Sequence, residues 1–155
     1  MKYIFREEPA PNIEDLKKMA SNKLDATSRL LAVEELGKWK SRQSIDILWQ
    51  LMMNDLVYSV KNEAFLRLQA FGEDVRLPKK KKGNLINQIE SKIEKIVKSI
   101  DGPISYSDFL KLFQEKQPEA FDVYKHDKEI RFDTWLKNII NNFTTEIKVK
   151  IDFSK

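Results

Sequence analysis

Apolar residues recur at helical spacing along most of the chain. Ala32, Leu36 and Trp39 follow one another at i, i+4 and i+7, which places them on one side of an α-helix. Asp25 precedes this stripe as a capping residue, and Gly72 follows a later stripe at the position typical of a helix end. The pattern predicts helices over about 12–23, 26–39, 44–52, 57–71, 84–100, 105–117 and 132–143, with a short helical turn around 121–124.

The two ends of the chain have a different pattern. Residues 147–153 alternate between apolar and polar side chains, which is strand spacing, and residues 2–6 alternate more weakly. One strand is not stable alone. We therefore expect these two segments to pair in a small two-stranded sheet that joins the chain ends.

One helical segment is repeated at a constant offset of 32 residues. In both copies an alanine lies four residues before a leucine, and an aromatic residue follows three positions later. The small alanine permits two helices to approach closely, and the larger residues fill the space beside it. Because one helical hairpin cannot cover its own apolar face, stacking a second copy on it completes the core. The repeated residues are Ala32, Leu36 and Trp39 in the first copy and Ala64, Leu68 and Phe71 in the second.

This repeat resembles the short HEAT-like repeats, in which a basic residue precedes alanine, leucine and glycine on a helix. The matching residues are Arg29, Ala32, Leu36 and Gly37 in the first copy and Val60, Lys61, Ala64 and Leu68 in the second, with the glycine displaced to Gly72. Asp55 stands where the turn aspartate of such repeats is usual. The resemblance covers about residues 25–76 and implies a right-handed helical stack that binds protein or nucleic acid without catalysing a reaction. The alternative is that any two adjacent amphipathic helices align in this way.

The C-terminal half is faintly similar to a winged-helix module, since three predicted helices and a strand follow one another over 104–153. That family reads DNA with its third helix. Here the chain ends before a second wing strand, and the third helix offers only Arg131 and Lys137 as basic residues. A DNA-reading helix normally presents more donors to bases and phosphates. We therefore do not expect winged-helix DNA recognition.

The positive charge is concentrated in one segment. The chain has a net charge of +4, whereas residues 79–100 alone carry seven lysines and two glutamates, a net charge of +5. Four consecutive lysines must be solvated because they repel one another. They form either a flexible linker or, together with the lysines of the next helix, a basic ridge for phosphates or an acidic protein surface. The candidate binding residues are Lys79, Lys80, Lys81, Lys82, Lys92, Lys95 and Lys98.

Catalytic chemistry has little support in the sequence. There is no cysteine, no glycine-rich phosphate loop and one histidine, His126, which more often lies in a loop than acts as a general base. The adjacent acidic pairs Glu7-Glu8, Glu34-Glu35 and Glu73-Asp74 point in different directions on a helix, so they rarely converge on a metal. We expect no catalytic residue, metal or cofactor, no membrane segment and a cytoplasmic location.

These observations predict a mainly α-helical protein. Residues 1–76 would form a HEAT-like α-α superhelix stack with an N-terminal arm, 77–83 a basic linker, and 84–155 a helical bundle that ends in a strand. The leading functional interpretation is a non-catalytic adaptor for a macromolecular partner, expected to be a protein. The alternative is nucleic-acid binding through the lysine-rich segment 79–98.

Overall fold

A computed structural model of the protein describes residues 3–80 and 83–154. The described chain is mainly α-helical and has a small two-stranded parallel sheet near its C-terminus, so the predicted fold class is confirmed. The chain divides into two compact units, unit 1 (Met1–Lys80) and unit 2 (Lys81–Lys155). The boundary between them falls within the lysine run.

Unit 1 contains two helical hairpins. Helix α1 packs against α2 and α3 packs against α4, while α2 also contacts α4 and α1 contacts α3. The helices therefore form two layers, α1 with α3 and α2 with α4. Their bounds are α1 (Ile13–Ala20), α2 (Ala26–Leu36), α3 (Arg42–Asn54) and α4 (Tyr58–Ala70).

Local capping determines where these helices begin and end. The Asp25 carboxylate accepts a hydrogen bond from the backbone N–H of Ser28 at 3.3 Å, as predicted for an N-cap. Helix α3 is capped by Ser41 and not by Ser44, because the Ser41 hydroxyl accepts the Ser44 N–H at 3.2 Å and Ser44 is buried in the first turn. Gly72 follows α4 with φ +91°, a conformation that costs glycine little.

The two hairpins bury equivalent positions. Ala32 and Ala64 are both fully buried, as the repeat predicts, and so are Leu36 and Leu68. The same offset relates α1 to α3, where the buried Leu16 corresponds to Leu48. Both layers therefore follow the spacing of 32 residues that sequence comparison detects only in α2 and α4.

A buried ion pair joins the first hairpin to the second. The Arg29 guanidinium on α2 donates to both carboxylate oxygens of Asp55, at 2.7 and 3.1 Å. Asp55 lies in the turn before α4, where one of its oxygens also accepts the backbone N–H of Val57 at 2.9 Å. A third Arg29 donor reaches the carbonyl oxygen of Asn22 at 2.8 Å. Since the charges are paired and hydrogen-bonded, this cluster is compatible with burial.

After α4 the chain returns along the helix as an extended segment. This return segment (residues 73–80) begins beside the last turn of α4, where the Glu73 N–H donates to the carbonyl of Leu68 at 3.1 Å. It reaches the first residue of α4 at its other end, because the Lys80 ammonium lies 4.6 Å from the centre of the Tyr58 ring. Eight extended residues span about 26 Å, more than the roughly 20 Å length of this helix. The return segment includes residues 77–80 of the predicted linker; it is neither helix nor strand, and its residues are exposed or half-buried.

The predicted pairing of the chain ends is wrong. Lys2 lies outside the described residues, but Arg6 forms an isolated parallel bridge with Trp39 in unit 1. The arm is held there by aromatic contacts, since the Phe5 and Phe71 rings meet edge to face at 4.9 Å and the Arg67 guanidinium lies 4.2 Å from the centre of the Tyr3 ring. Backbone hydrogen bonds of Arg6 to the connection between α2 and α3, at 2.9 and 2.7 Å, and side-chain contacts at the end of α4 together hold the arm.

The C-terminal alternation also corresponds to a different structure. Residues Thr145–Lys148 form a single helical turn, α9, and only Ile151–Asp152 form a strand, β2. This strand pairs in parallel with β1 (Ile104–Ser105). In such a short segment, Ile147 and Ile151 fit helical as well as strand spacing, so the period alone does not identify the element.

Unit 2 is a helical bundle around an aromatic and aliphatic core. Helix α5 begins at Ile89, later than predicted. The segment after α6 is a full helix and not a short turn, because Pro118 occupies the first helical position, where proline is favourable. The bounds are α5 (Ile89–Lys98), α6 (Tyr106–Lys116), α7 (Pro118–Lys128) and α8 (Phe132–Asn141), with a 3₁₀ turn over Glu129–Arg131.

Aromatic rings connect the helices of unit 2. The ring of Phe121 on α7 meets Phe113 of α6 at 5.5 Å and Phe132 of α8 at 5.6 Å, both edge to face. Tyr124 stacks on Trp135 with ring centres 4.4 Å apart. These contacts converge on one core that has no internal repeat.

Candidate functional site

The first two lysines of the run lie at the end of the return segment in unit 1. Lys79 and Lys80 are both exposed, and Lys80 sits over the Tyr58 ring. Lys81 and Lys82 are outside the described residues. Among residues 3–80 no carboxylate lies within ion-pair distance of Lys79 or Lys80. These two lysines are therefore uncompensated cations on the surface of unit 1.

A third cation, Lys61, belongs to the same end of α4. It lies one turn after Tyr58, and residues three apart on a helix are neighbours on its surface. Residues 54–62 hold one carboxylate, that of Asp55, which is buried against Arg29. We call the group of Tyr58, Lys61, Lys79 and Lys80 the α4 patch.

The offset of 32 residues relates Lys61 to a cation that does have a carboxylate partner. Lys61 corresponds to Arg29 at the offset of 32, and Arg29 is neutralised by Asp55, which the following hairpin supplies. After α4 the return segment takes the place of a third hairpin in unit 1. No ion pair of Lys61 is present within the described chain. Sequence reasoning aligned Lys61 with Arg29 but did not identify it as a site residue, because the return of residues 73–80 is a tertiary feature.

The remaining candidate lysines lie on α5 of unit 2, where one of the three is paired with a carboxylate of the described chain. Lys95 and Lys98 are exposed and Lys92 is half-buried, but Lys98 binds Glu94 at 3.0 Å. With Glu90, the helix carries three lysines and two glutamates, so its polar side is only weakly basic. The structure places these lysines on a different unit from Lys79 and Lys80.

Lys150 adds a cation at the C-terminal end of α5. Its ammonium donates to the carbonyl oxygens of Ile100 at 2.8 Å and Lys98 at 3.2 Å. Such a lysine satisfies carbonyls that have no helical partner and complements the helix dipole. This contact is consistent with a capping role for Lys150.

An exposed side of α2 forms the second candidate surface. Leu31 on this side is 49% exposed, and Glu35 beside it is half-buried. At the offset of 32 these residues correspond to Glu63 and Arg67 of α4. The Arg67 side chain packs closely against Gly37 at the end of α2, where a Cβ atom would overlap it. On α4 this side lies against α2, the preceding helix of the same layer. Among the described helices of unit 1, none precedes α2 in that layer, so the equivalent side of α2 is left uncovered. We call this side, with Leu31 and Glu35, the open end; Leu24, 55% exposed, lies in the turn before α2.

The residues considered for catalysis have ordinary structural contacts. The His126 ring nitrogen Nδ1 lies 2.9 Å from the carbonyl oxygen of Asp122, one turn earlier on α7. Among the acidic pairs, Glu7 binds Lys40 at 3.6 Å and Glu35 binds Lys38 at 2.8 Å. Within the described ranges, no group of three or more acidic or histidine side chains is arranged to hold a metal ion.

Two tyrosines of unit 2 have raised pKa values because they are buried. Burial, together with a hydrogen bond to Asp133 at 2.7 Å, raises the pKa of Tyr106. Burial also raises the pKa of Tyr124, whose hydroxyl accepts the backbone N–H of Ile86 at 3.1 Å. Both hydroxyls have partners in the bundle, and these contacts indicate a role in packing.

Comparisons with protein families, with curated proteins and with solved structures give no match to this chain. None of the described helices has the length and apolar character needed to cross a bilayer.

Proposed function

We propose that the protein is a non-catalytic, HEAT-like adaptor that binds a macromolecular partner through its helical repeat face and the basic segment 79–98. The observation that carries this proposal is the duplicated hairpin, whose buried alanines Ala32 and Ala64 correspond and whose open end exposes Leu31. Stacked helical hairpins are typically used as extended binding surfaces. A cytoplasmic protein partner is the expectation that follows from this reading.

The open end has the composition of a protein-binding surface. Leu31 supplies apolar area, and Glu35, one turn later on α2, is paired with Lys38 at 2.8 Å. Protein interfaces commonly combine an apolar centre with a polar rim. We therefore assign the protein partner to this side of unit 1.

Affinity capture from a lysate of the source organism tests the proposal. The intact chain is compared with Leu31→Glu and with a variant in which Lys79–Lys82 are changed to alanine. The control is Val149→Glu, which adds a charge at a position of unit 2 that is 58% exposed. We expect Leu31→Glu to lose a captured protein that this control variant retains. Circular dichroism of each variant verifies folding. Capture of the same proteins by all variants would contradict the adaptor function at these surfaces.

The alternative function, nucleic-acid binding through the lysine-rich segment, is favoured by one observation. Lys79 and Lys80 have no acidic partner in the described part of unit 1, so their charge is available to an external anion. The lysine-to-alanine variant separates the two functions, because it would lose nucleic acid and keep a protein bound at the open end.

A further inference from the structure

We propose that the α4 patch binds the phosphate backbone of nucleic acid without sequence preference, and that the lysines of α5 take no part. This inference rests on the proposed binding role of segment 79–98 and narrows it to one end of one helix in unit 1. It also adds two residues, Lys61 and Tyr58, to the segment.

The first argument is the unbalanced charge of the patch. Arg29, in the first copy of the repeat, has its counter-charge inside unit 1, at 2.7 Å. Lys61, in the second copy, corresponds to Arg29, but unit 1 has no third hairpin to supply its carboxylate. The return segment instead brings the Lys80 ammonium to 4.6 Å from the Tyr58 ring, one turn before Lys61, and the exposed Lys79 precedes Lys80 in the chain. The α4 patch therefore carries three lysines and lacks a carboxylate equivalent to Asp55. An external anion would neutralise their charge.

The second argument concerns which kind of anion fits. Lysine is depleted at the centre of protein–protein interfaces, where arginine and aromatic residues prevail. Lysine is a compact, strongly hydrated point charge that is a common phosphate ligand, although the planar fork of arginine fits carboxylates and phosphates alike. A patch of three lysines and one tyrosine ring therefore suits a phosphate backbone better than an acidic protein.

The third argument is the contrast with α5. The Lys98 ammonium is 3.0 Å from Glu94, and Glu90 lies on the same helix. A phosphate that approaches this helix meets both signs of charge, whereas residues 54–62 around the α4 patch expose no carboxylate, since that of Asp55 is buried. The α4 patch and α5 each carry three lysines, but those of the α4 patch should contribute more to phosphate binding.

Fluorescence anisotropy of the full chain with labelled oligonucleotides tests the proposal. The probes are a single-stranded RNA, a single-stranded DNA and a DNA duplex of equal length, and labelled polyglutamate of similar charge is the comparison. Titrations between about 50 and 200 mM salt give the slope of log affinity against log salt. We expect all three nucleic acids to bind, polyglutamate to bind at least tenfold more weakly, and each phosphate contact to contribute about one unit of slope.

The variants form a charge-matched pair. Lys79→Gln/Lys80→Gln should lower the magnitude of the slope by about two. Lys92→Gln/Lys95→Gln removes the same charge from α5 and should leave the slope unchanged. Lys81 and Lys82 are retained in both variants and contribute equally to both.

Several results would overturn the inference. These are the absence of nucleic-acid binding at about 50 mM salt, equal losses in the two variants, and binding of polyglutamate as tight as that of the oligonucleotides. The substituted lysines are exposed except Lys92, which is half-buried, and circular dichroism verifies that each variant is folded. The open-end variant Leu31→Glu separates the proposals: it should bind nucleic acid normally even where protein capture is lost, so either proposal can fail while the other stands.

Discussion

The two units of this protein build their cores in different ways. In unit 1 the same small and large residues recur after 32 positions, and each of the two stacked helical hairpins fully buries an equivalent alanine. In unit 2 rings from three helices converge on Phe121 without repetition. A repeated interface leaves its first and last copies without neighbours, whereas a convergent core closes on itself. The candidate binding surfaces of unit 1 lie at those two unmatched ends.

Loss of the buried ion pair that joins the hairpins should lower the free energy of unfolding more than the other substitutions. Asp55→Ala leaves the Arg29 guanidinium buried without a counter-charge and removes the acceptor of the Val57 N–H. Breaking such a pair costs about 3–5 kcal/mol. Urea unfolding followed by tryptophan fluorescence in a Trp135→Phe background reports on Trp39 and Trp49 of unit 1.

The matched control is Asp25→Ala, which removes an N-cap at the exposed start of α2. It should lower the free energy of unfolding by about 1 kcal/mol. If the two aspartate variants lose similar stability, the ion pair does not hold the hairpins together.

The second prediction concerns the equivalence of the two hairpins. Ala32→Leu and Ala64→Leu each add three carbon atoms at a fully buried helix contact. Overpacking of this kind typically costs about 1–3 kcal/mol. Because the two positions correspond, we expect both variants to destabilise unit 1 in the same urea assay. A substitution tolerated at one alanine and not at the other would show that the two settings differ.

The smallest expected effect concerns the stability of unit 2 alone, at alkaline pH. The raised pKa of Tyr106 means that the folded protein keeps this proton while the unfolded chain releases it near pH 10. The folded state therefore binds more protons above that pH, and the free energy of unfolding falls as the pH rises beyond about 10.

Tyr106→Phe should cost about 1 kcal/mol near pH 7, since the hydrogen bond to Asp133 is lost. It should also reduce the alkaline decline, to which Tyr124 contributes in the same direction. Unfolding followed through Trp135 in a Trp39→Phe/Trp49→Phe background measures both effects. An unchanged alkaline decline in the variant would contradict the assignment to Tyr106.

The helices could be predicted from the sequence where periodicity and capping agree. Asp25 caps the helix that follows it, as expected, and Gly72 ends α4. The helix predicted to begin at residue 44 begins at Arg42, because Ser41 provides the cap. The helix predicted over 105–117 is followed directly by another, since the first position of a helix accepts Pro118.

The termini and part of the candidate site depend on contacts that the sequence pattern does not contain. The arm follows α4 because Phe5 meets Phe71, and no local pattern specifies that pair. Lys79 and Lys80 were predicted as binding residues from their charge alone. Lys61 joins them because the return segment brings the chain back to Tyr58, which depends on tertiary packing.

The most direct test of the duplicated stack is a double-mutant cycle between Arg29 and Asp55. The free energy of unfolding of unit 1 is measured for Arg29→Met, Asp55→Ala and the double variant, all in the Trp135→Phe background. If this pair joins the two hairpins, the double variant will lose about 1–3 kcal/mol less stability than the sum of the losses of the two single variants. Losses that add to within about 0.5 kcal/mol would show that the two side chains act independently, and would contradict the stacking of the second hairpin on the first.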